Sequence, residues 1–246
     1  MTSNPNYKTD IPLEAEKVDL VEVPGNGYVI SGAEYLINGE KVGERYWNEY
    51  GFLCQEFAMK NGEKNGRCYD FSFGGKLSLV EPYFEGKPHG VAIQFSESGK
   101  VMGTYELKHG SGIDLWRDHF DGQKNNPVYL AEVHYLKDWV QDGFSWFINE
   151  DQKSVWMESF FSKSHLHGYV GIERQWDIEV ASLDKGYPKF SIGDEEVTKE
   201  AYQLICKEDP SLLPYREADD SPERTFPPEI EAHLYSPPND VEPNTN

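Results

Sequence analysis

Along residues 28–176, apolar and polar positions alternate in short runs broken by glycines, the spacing of strands and tight turns rather than of helices. The glycines keep step: Gly51, Gly75 and Gly99 are 24 residues apart, and so are Gly62, Gly86 and Gly110. Gly66 and Gly90 repeat that step, while Gly39 and Gly43 precede Gly62 and Gly66 by 23. Fixed periods of this length mark stacked repeats. An incomplete unit, YVISGAEYLINGEKVGERYW, is followed by units starting at Tyr50, Gly74 and Ser98. After an insertion, RDHFDGQKNNP, two further units start at Val128 and Ser154, retaining only Gly143 and Gly168. Each reads as strand, glycine turn, strand, with the Gly-x-x-x-Gly segment suited to positive φ. An aromatic closes every second strand: Trp47, Phe71, Phe95, Trp116, Phe147 and Trp176.

Counted from the second glycine of each turn, the first and third positions are mostly apolar: Tyr46, Tyr69, Val91, Ile93, Ile113, Leu115, Phe144 and Trp146, with Glu44 and Arg67 as exceptions. The second and fourth hold Arg45/Trp47, Cys68/Asp70, Ala92/Gln94, Asp114/Trp116 and Ser145/Phe147. Alternation puts the two sets on opposite faces. The first is expected to be packed. The second, mixing aromatics with polar groups, is the candidate binding surface, with Trp47, Asp70, Asp114, Trp116 and Phe147 as its candidate residues.

After Trp176 the period ends. VTKEAYQLICKEDP predicts a short helix, with Thr198 as N-cap, a stripe of Ala201, Leu204 and Ile205, and Pro210 as its stop. Eight prolines between Pro210 and Asn246 predict an extended segment, and composition predicts a disordered end. The expected organisation is an N-terminal extension over 1–27, hairpin repeats over 28–176, a segment with one short helix over 177–236, and a tail over 237–246.

Composition narrows the chemistry. Aromatics make up 14% of the 246 residues, too many for a wholly disordered chain. The net charge of −20 repels nucleic acids and anionic membranes and attracts cationic partners. Residues 194–246 hold fourteen acidic against four basic side chains, half of that charge. Three cysteines without C-x-x-C spacing read as reduced thiols of a cytoplasmic protein, although Cys54 and Cys68 fall on neighbouring strands. Neither a secretory leader nor an apolar stretch of membrane-spanning length is visible.

The units resemble MORN repeats, and more closely the bacterial MORN-variant repeat of antitoxin-type proteins. Gly86-Lys87-Pro88-His89-Gly90, Gly99-Lys100-Val101 and Leu166-His167-Gly168 carry the resemblance over about residues 28–176. It implies a mainly β fold, an elongated antiparallel sheet of stacked hairpins followed here by a short C-terminal helix and a Pro-rich acidic tail. It also implies binding, scaffolding or toxin neutralisation rather than catalysis.

Motifs that carry chemistry are scarce in the chain. Gly25-Asn26-Gly27 and Gly110-Ser111-Gly112 lack the helix and Lys-Ser/Thr of a phosphate loop, and no nucleophile elbow or calcium loop occurs. His165 and His167, with His134 or His119, make a zinc set to test, although His89 and His167 sit where the repeat places turn residues. Asp118, Asp121, Asp142 and Asp151 add carboxylates with no distinguishing spacing. The expectation is a non-enzymatic module without cofactor or metal. Its partner is a protein, expected to be basic, and the module acts as an antitoxin or immunity protein. A structural scaffold of unknown partner, or a carbohydrate-active or metal-dependent enzyme, stands as the alternative, and the sheet edges leave self-association open.

Overall fold

The structure, a computed structural model, describes residues 6–22, 29–119, 127–162, 165–170, 189–192, 195–210 and 226–234. The chain is mainly β and forms two compact units, residues 1–110 with 238–246, and residues 111–237. Unit 1 carries β1 (Glu16–Asp19), β2 (Ser31–Ile37), β3 (Glu40–Trp47), β4 (Leu53–Lys60), β5 (Glu63–Phe71), β6 (Leu77–Phe84), β7 (Lys87–Pro88), β8 (Gly90–Phe95) and β9 (Val101–Lys108). Unit 2 carries β10 (Ser111–His119), β11 (Val128–Lys137), β12 (Val140–Ile148), β13 (Val155–Ser162), β14 (His165–Val170), β15 (Lys189–Ile192), β16 (Glu195–Val197), α1 (Lys199–Glu208) and α2 (Pro228–Leu234). Within each unit, strands pair antiparallel with their sequence neighbours, apart from the short β7, which pairs only with β6.

The repeat is visible in the backbone. Five of the described hairpins turn on two residues at positive φ: Asn38-Gly39, Asn61-Gly62, Glu85-Gly86, His109-Gly110 and, without glycine, Asp138-Trp139. Positive φ at both centres defines the type I′ turn, whose twist matches that of the strands it joins. Successive turns then stack, Gly86 N–H donating to Lys64 O at 3.0 Å and Gly110 N–H to Pro88 O at 2.7 Å. The second glycines follow the expectation at Gly66, Gly90, Gly112 and Gly143, all at positive φ. Gly43 differs: a Cβ there would lie 2.4 Å from the Ile11 side chain, so close approach of another segment requires the glycine.

A register shift recurs near the end of every second strand, at Tyr46/Trp47, Asp70/Phe71, Gln94/Phe95, Trp116/Arg117 and Phe147/Ile148. It is the true landmark of the repeat. From Gly66, Gly90 and Gly143 it lies one residue further than from Gly43, so counting from the glycine misaligns the first unit with the others.

In unit 1 the residues two before the shift, Arg45, Tyr69 and Ile93, share one face with Ala33, Glu56 and Val80. Residues 7–15, read from sequence as part of an extension, are laid across it. Ile11, with Ala15 beside it, packs with Ala33, Tyr35, Val42 and Trp47. The Tyr7 ring meets Tyr69 and Phe71 edge-on at 5.0 and 5.4 Å. Tyr7 Oη donates to Glu56 Oε2 at 2.5 Å, and Arg45 Nε donates to the same oxygen at 2.6 Å. Tyr69 Oη donates to Lys8 O, and Asp10 holds the Arg67 guanidinium and its backbone N–H. An ion pair as buried as Arg45–Glu56 endures only with such supporting hydrogen bonds.

In unit 2 the equivalent Leu115 and Trp146 lie in a row with Val133, and Trp146 is covered from the C-terminal side. Phe226 meets the Trp146 ring edge-on at 5.6 Å, and Tyr135 Oη donates to Glu229 of α2 at 3.2 Å. The sequence expectation of one helix in an extended tail is therefore amended: Pro228 at the first helical position and Ile230, fully buried, produce a second helix. The α1 cap is as expected, Thr198 Oγ1 accepting from Ala201 N–H at 3.2 Å. Its expected stripe is corrected. Tyr202 and Cys206 pack with Phe190, while Leu204 is 58% exposed, because the larger aromatic takes the inward position.

Candidate functional site

The five candidate residues do not share one surface. Trp47 sits at the register shift, on the face crossed by residues 7–15, packed near Ile11 with the Lys17 amino group 5.3 Å above its ring. Asp70 precedes its shift and so faces the other way, in a row with Tyr46, Gln55 and Leu79. Gln55 Nε2 donates to Asp70 Oδ1 at 2.9 Å, and burial pushes the Asp70 carboxyl above its usual range. The physical reason for the split is the single residue by which β3 is shorter between its glycine and its register shift. One residue reverses side-chain direction.

The expected packed set is likewise divided. Tyr46 and Tyr69 are both buried, yet Tyr46 pairs across to Gln55 and Tyr69 to Glu56, neighbouring residues that point to opposite faces. Cys54 packs with Tyr46 and Phe57, and Phe57 pairs across to Cys68; both cysteines are free, buried thiols, with burial pushing Cys68 up to about 12. A thiol so hard to ionise is unreactive at neutral pH.

In unit 2 the other three candidates come together. Pairing across β10, β11 and β12 sets Trp116 beside Glu132 and Glu132 beside Phe147. The adjacent row on that face is Asp114, His134 and Ser145. Each member of the first row is held by the second. Trp116 Nε1–H donates to Asp114 Oδ2 at 2.9 Å. Glu132 Oε2 is 3.2 Å from His134 Nε2, and the His134 ring meets Phe147 edge-on at 5.7 Å. Ser145 Oγ lies 2.6 Å from His134 Nδ1, fixing the imidazole in turn.

Burial grades this arrangement from base to rim. Ser145 is 3% exposed, whereas the Trp116 residue is 36% exposed and the Glu132 side chain 40%. Burial pushes the Asp114 carboxyl up and neighbouring Glu132 adds to this, against the Trp116 hydrogen bond and His134. The result is a pinned indole and a pinned carboxylate on a half-exposed face, built on strands rather than loops.

Glu132 escapes the sequence reading, which places Ser145 on the candidate face without choosing it and considers His134 only as a zinc ligand. The turn at Asp138-Trp139 opposes Lys137 to Val140, and simple counting back would set Glu132 against Ser145. An irregularity between His134 and Leu136 slides the register by two, which preserves the face but puts Phe147 there instead. The period-two pattern Glu132-x-His134 was the available signal.

Among the described residues no group of three His, Cys, Asp or Glu stands ready to hold a metal. Both His134 ring nitrogens are engaged by Ser145 and Glu132, and the side chains of His165 and His167 lie outside the described residues, as do Trp176 and residues 235–246. No described helix is long and apolar enough to cross a membrane.

No family model matches the chain, and no curated protein matches it. A solved structure, the glycosylation-associated protein (Gap123) complex from Streptococcus agalactiae, is similar at 18% identity over 43% of this chain and 19% of that one, with a TM-score of 0.31.

Proposed function

We propose that this chain is a non-enzymatic protein-binding module that engages a basic protein, in the manner of an antitoxin or immunity protein. One observation carries the reading: the pinned Trp116–Glu132–Phe147 row of unit 2, half exposed on a chain of net charge −20. Exposed, rigid aromatics supply hot-spot area at little entropic cost, and acidic surroundings steer a cationic partner toward them. The MORN-variant resemblance agrees with that use, and a cytoplasmic site of action belongs to the same reading.

The donors of the site are spent internally: the Trp116 indole N–H on Asp114, and the Ser145–His134 pair on each other and on Glu132. That arrangement suits recognition better than turnover, since Ser145 is buried at the base. Edge pairing between copies is disfavoured at β1, a four-residue, fully exposed strand bearing Glu16, Lys17 and Asp19.

Affinity capture from the native host at low and high salt tests the proposal. A basic protein retained by the full chain, released by salt and lost with Trp116→Ala, is expected. Retention that ignores both salt and Trp116→Ala would overturn it.

A further inference from the structure

We infer that the slot between Trp116 and Phe147, floored by Glu132, is a receptor for a single arginine side chain of the partner. The inference rests on the binding reading above and names the group recognised. Neighbouring strands lie about 4.8 Å apart, so Trp116 on β10 and Phe147 on β12 stand on backbones about 10 Å apart with Glu132 between them on β11. That spacing lets two tilted rings flank one planar cation, and aromatic faces attract cations through their quadrupole.

The hydrogen-bonding inventory selects the ligand class. The row presents a 36% exposed indole and the carboxylate of a 40% exposed Glu132, with its N–H and O–H groups committed to Asp114, Glu132 and His134. An anion finds no complement beside Glu132, and a neutral sugar lacks the charge that a chain of net charge −20 attracts. A cationic group made only of donors meets both conditions. Glu132 gives one oxygen to His134 Nε2, and no described contact engages the other.

Guanidinium is favoured over ammonium by shape. It is planar, less strongly hydrated than an ammonium, stacks on aromatic rings and bonds carboxylate in the plane of its fork. A lysine ammonium would keep more of its water and gain little from two ring faces. The second row makes the slot ready in advance: Asp114 fixes the indole, His134 fixes both Glu132 and Phe147, and Ser145 fixes His134. Preorganisation of this kind reduces the ordering cost of binding.

The test uses the full chain, isotope-labelled, with the Trp116 indole N–H resonance identified by its absence in Trp116→Phe. The probes are Nα-acetyl-arginine amide, the lysine amide and the neutral citrulline amide. Arginine is expected to shift that resonance saturably at millimolar concentration, lysine at least several-fold more weakly, and citrulline not at all. Glu132→Gln, whose exposed side chain leaves the fold intact by the backbone spectrum, is expected to weaken arginine at least tenfold.

A silent Trp116 resonance, equal responses to arginine and lysine or to arginine and citrulline, or an unaltered Glu132→Gln protein would each overturn the inference. The two proposals fail separately. Retention of a basic protein with no arginine response removes the receptor and leaves the binding reading. An arginine response with no protein retained does the reverse.

Discussion

Both units are built from the same hairpin, yet each seals its sheet with a different non-repeat segment. In unit 1 residues 7–15 cover Arg45, Tyr69 and Ile93 with a mixture of ring packing, ion pairs and one apolar plug, Ile11. In unit 2 Phe226 packs on the equivalent Trp146, and the short helix α2 reaches Tyr135 beside it. The positions just before the register shift differ more. In unit 1 they are Tyr46, Asp70 and Gln94, with Tyr46 and Gln94 buried; in unit 2 they are Trp116 and Phe147, left half open. A repeat thus supplies a frame in which one position can be core in one copy and recognition surface in another.

The largest expected effect comes from the sealed side of unit 1. Tyr69 is fully buried, and Tyr69→Ala should cost about 3–5 kcal/mol by loss of burial and a cavity, read from the urea midpoint. Next come the two plugs. Ile11→Ala and Ile230→Ala, each at a nearly or fully buried position, should each cost about 2–4 kcal/mol. Equal costs would show that strap and helix are comparable seals, and a negligible cost at Ile11 would show that the strap follows the fold rather than supports it.

The pH dependence separates the units at smaller scale. Burial pushes Asp10 up, but the hydrogen bonds and charge of Arg67 outweigh it and hold the carboxyl below its usual range. A lowered folded value contributes stability above the unfolded value, about 3.9, and that contribution is lost as pH falls from there through the folded value. Discounted for partial exposure, Asp10→Asn should cost about 1 kcal/mol at pH 7 and less near pH 3, checked by urea midpoints at both. Asp114 has the opposite sign. Its raised folded value makes stability rise as pH falls through that value, so Asp114→Asn should change the neutral-pH midpoint by no more than about 0.5 kcal/mol.

The smallest stability effect carries the functional contrast. Glu132→Gln should move the unfolding midpoint by about 0.5 kcal/mol or less while abolishing partner retention, and Trp116→Ala should abolish it too at a cost of about 1–3 kcal/mol, since most of the indole is buried. The analogous change Asp70→Asn in unit 1 should leave retention intact, as measured by the same capture. Loss of retention through Asp70→Asn would end the distinction between the two units.

Much of the fold was legible because its signals are local. Glycines in step, Asn-Gly turns and alternating side chains report backbone conformation directly, and the Thr198 cap does the same for α1. The candidate face was legible only in part. Asp114, Trp116 and Phe147, grouped by alternation, lie in adjacent rows of one face. Trp47 was misplaced by the one residue missing from β3. Glu132 was passed over because pairing register depends on irregularities that residue identity does not announce.

By itself, then, the amino-acid sequence determined that this protein is a run of β-hairpins with a large negative charge, since turn chemistry, alternation and ionisation are properties of short segments. Only the tertiary structure decided which face each segment shows. Face depends on register, and register is settled by what packs against the sheet: Tyr7 and Ile11 on unit 1, and Phe226 and Ile230 within unit 2. The pairing of β10, β11 and β12, with the irregularity between His134 and Leu136, brought Trp116, Glu132 and Phe147 into one row.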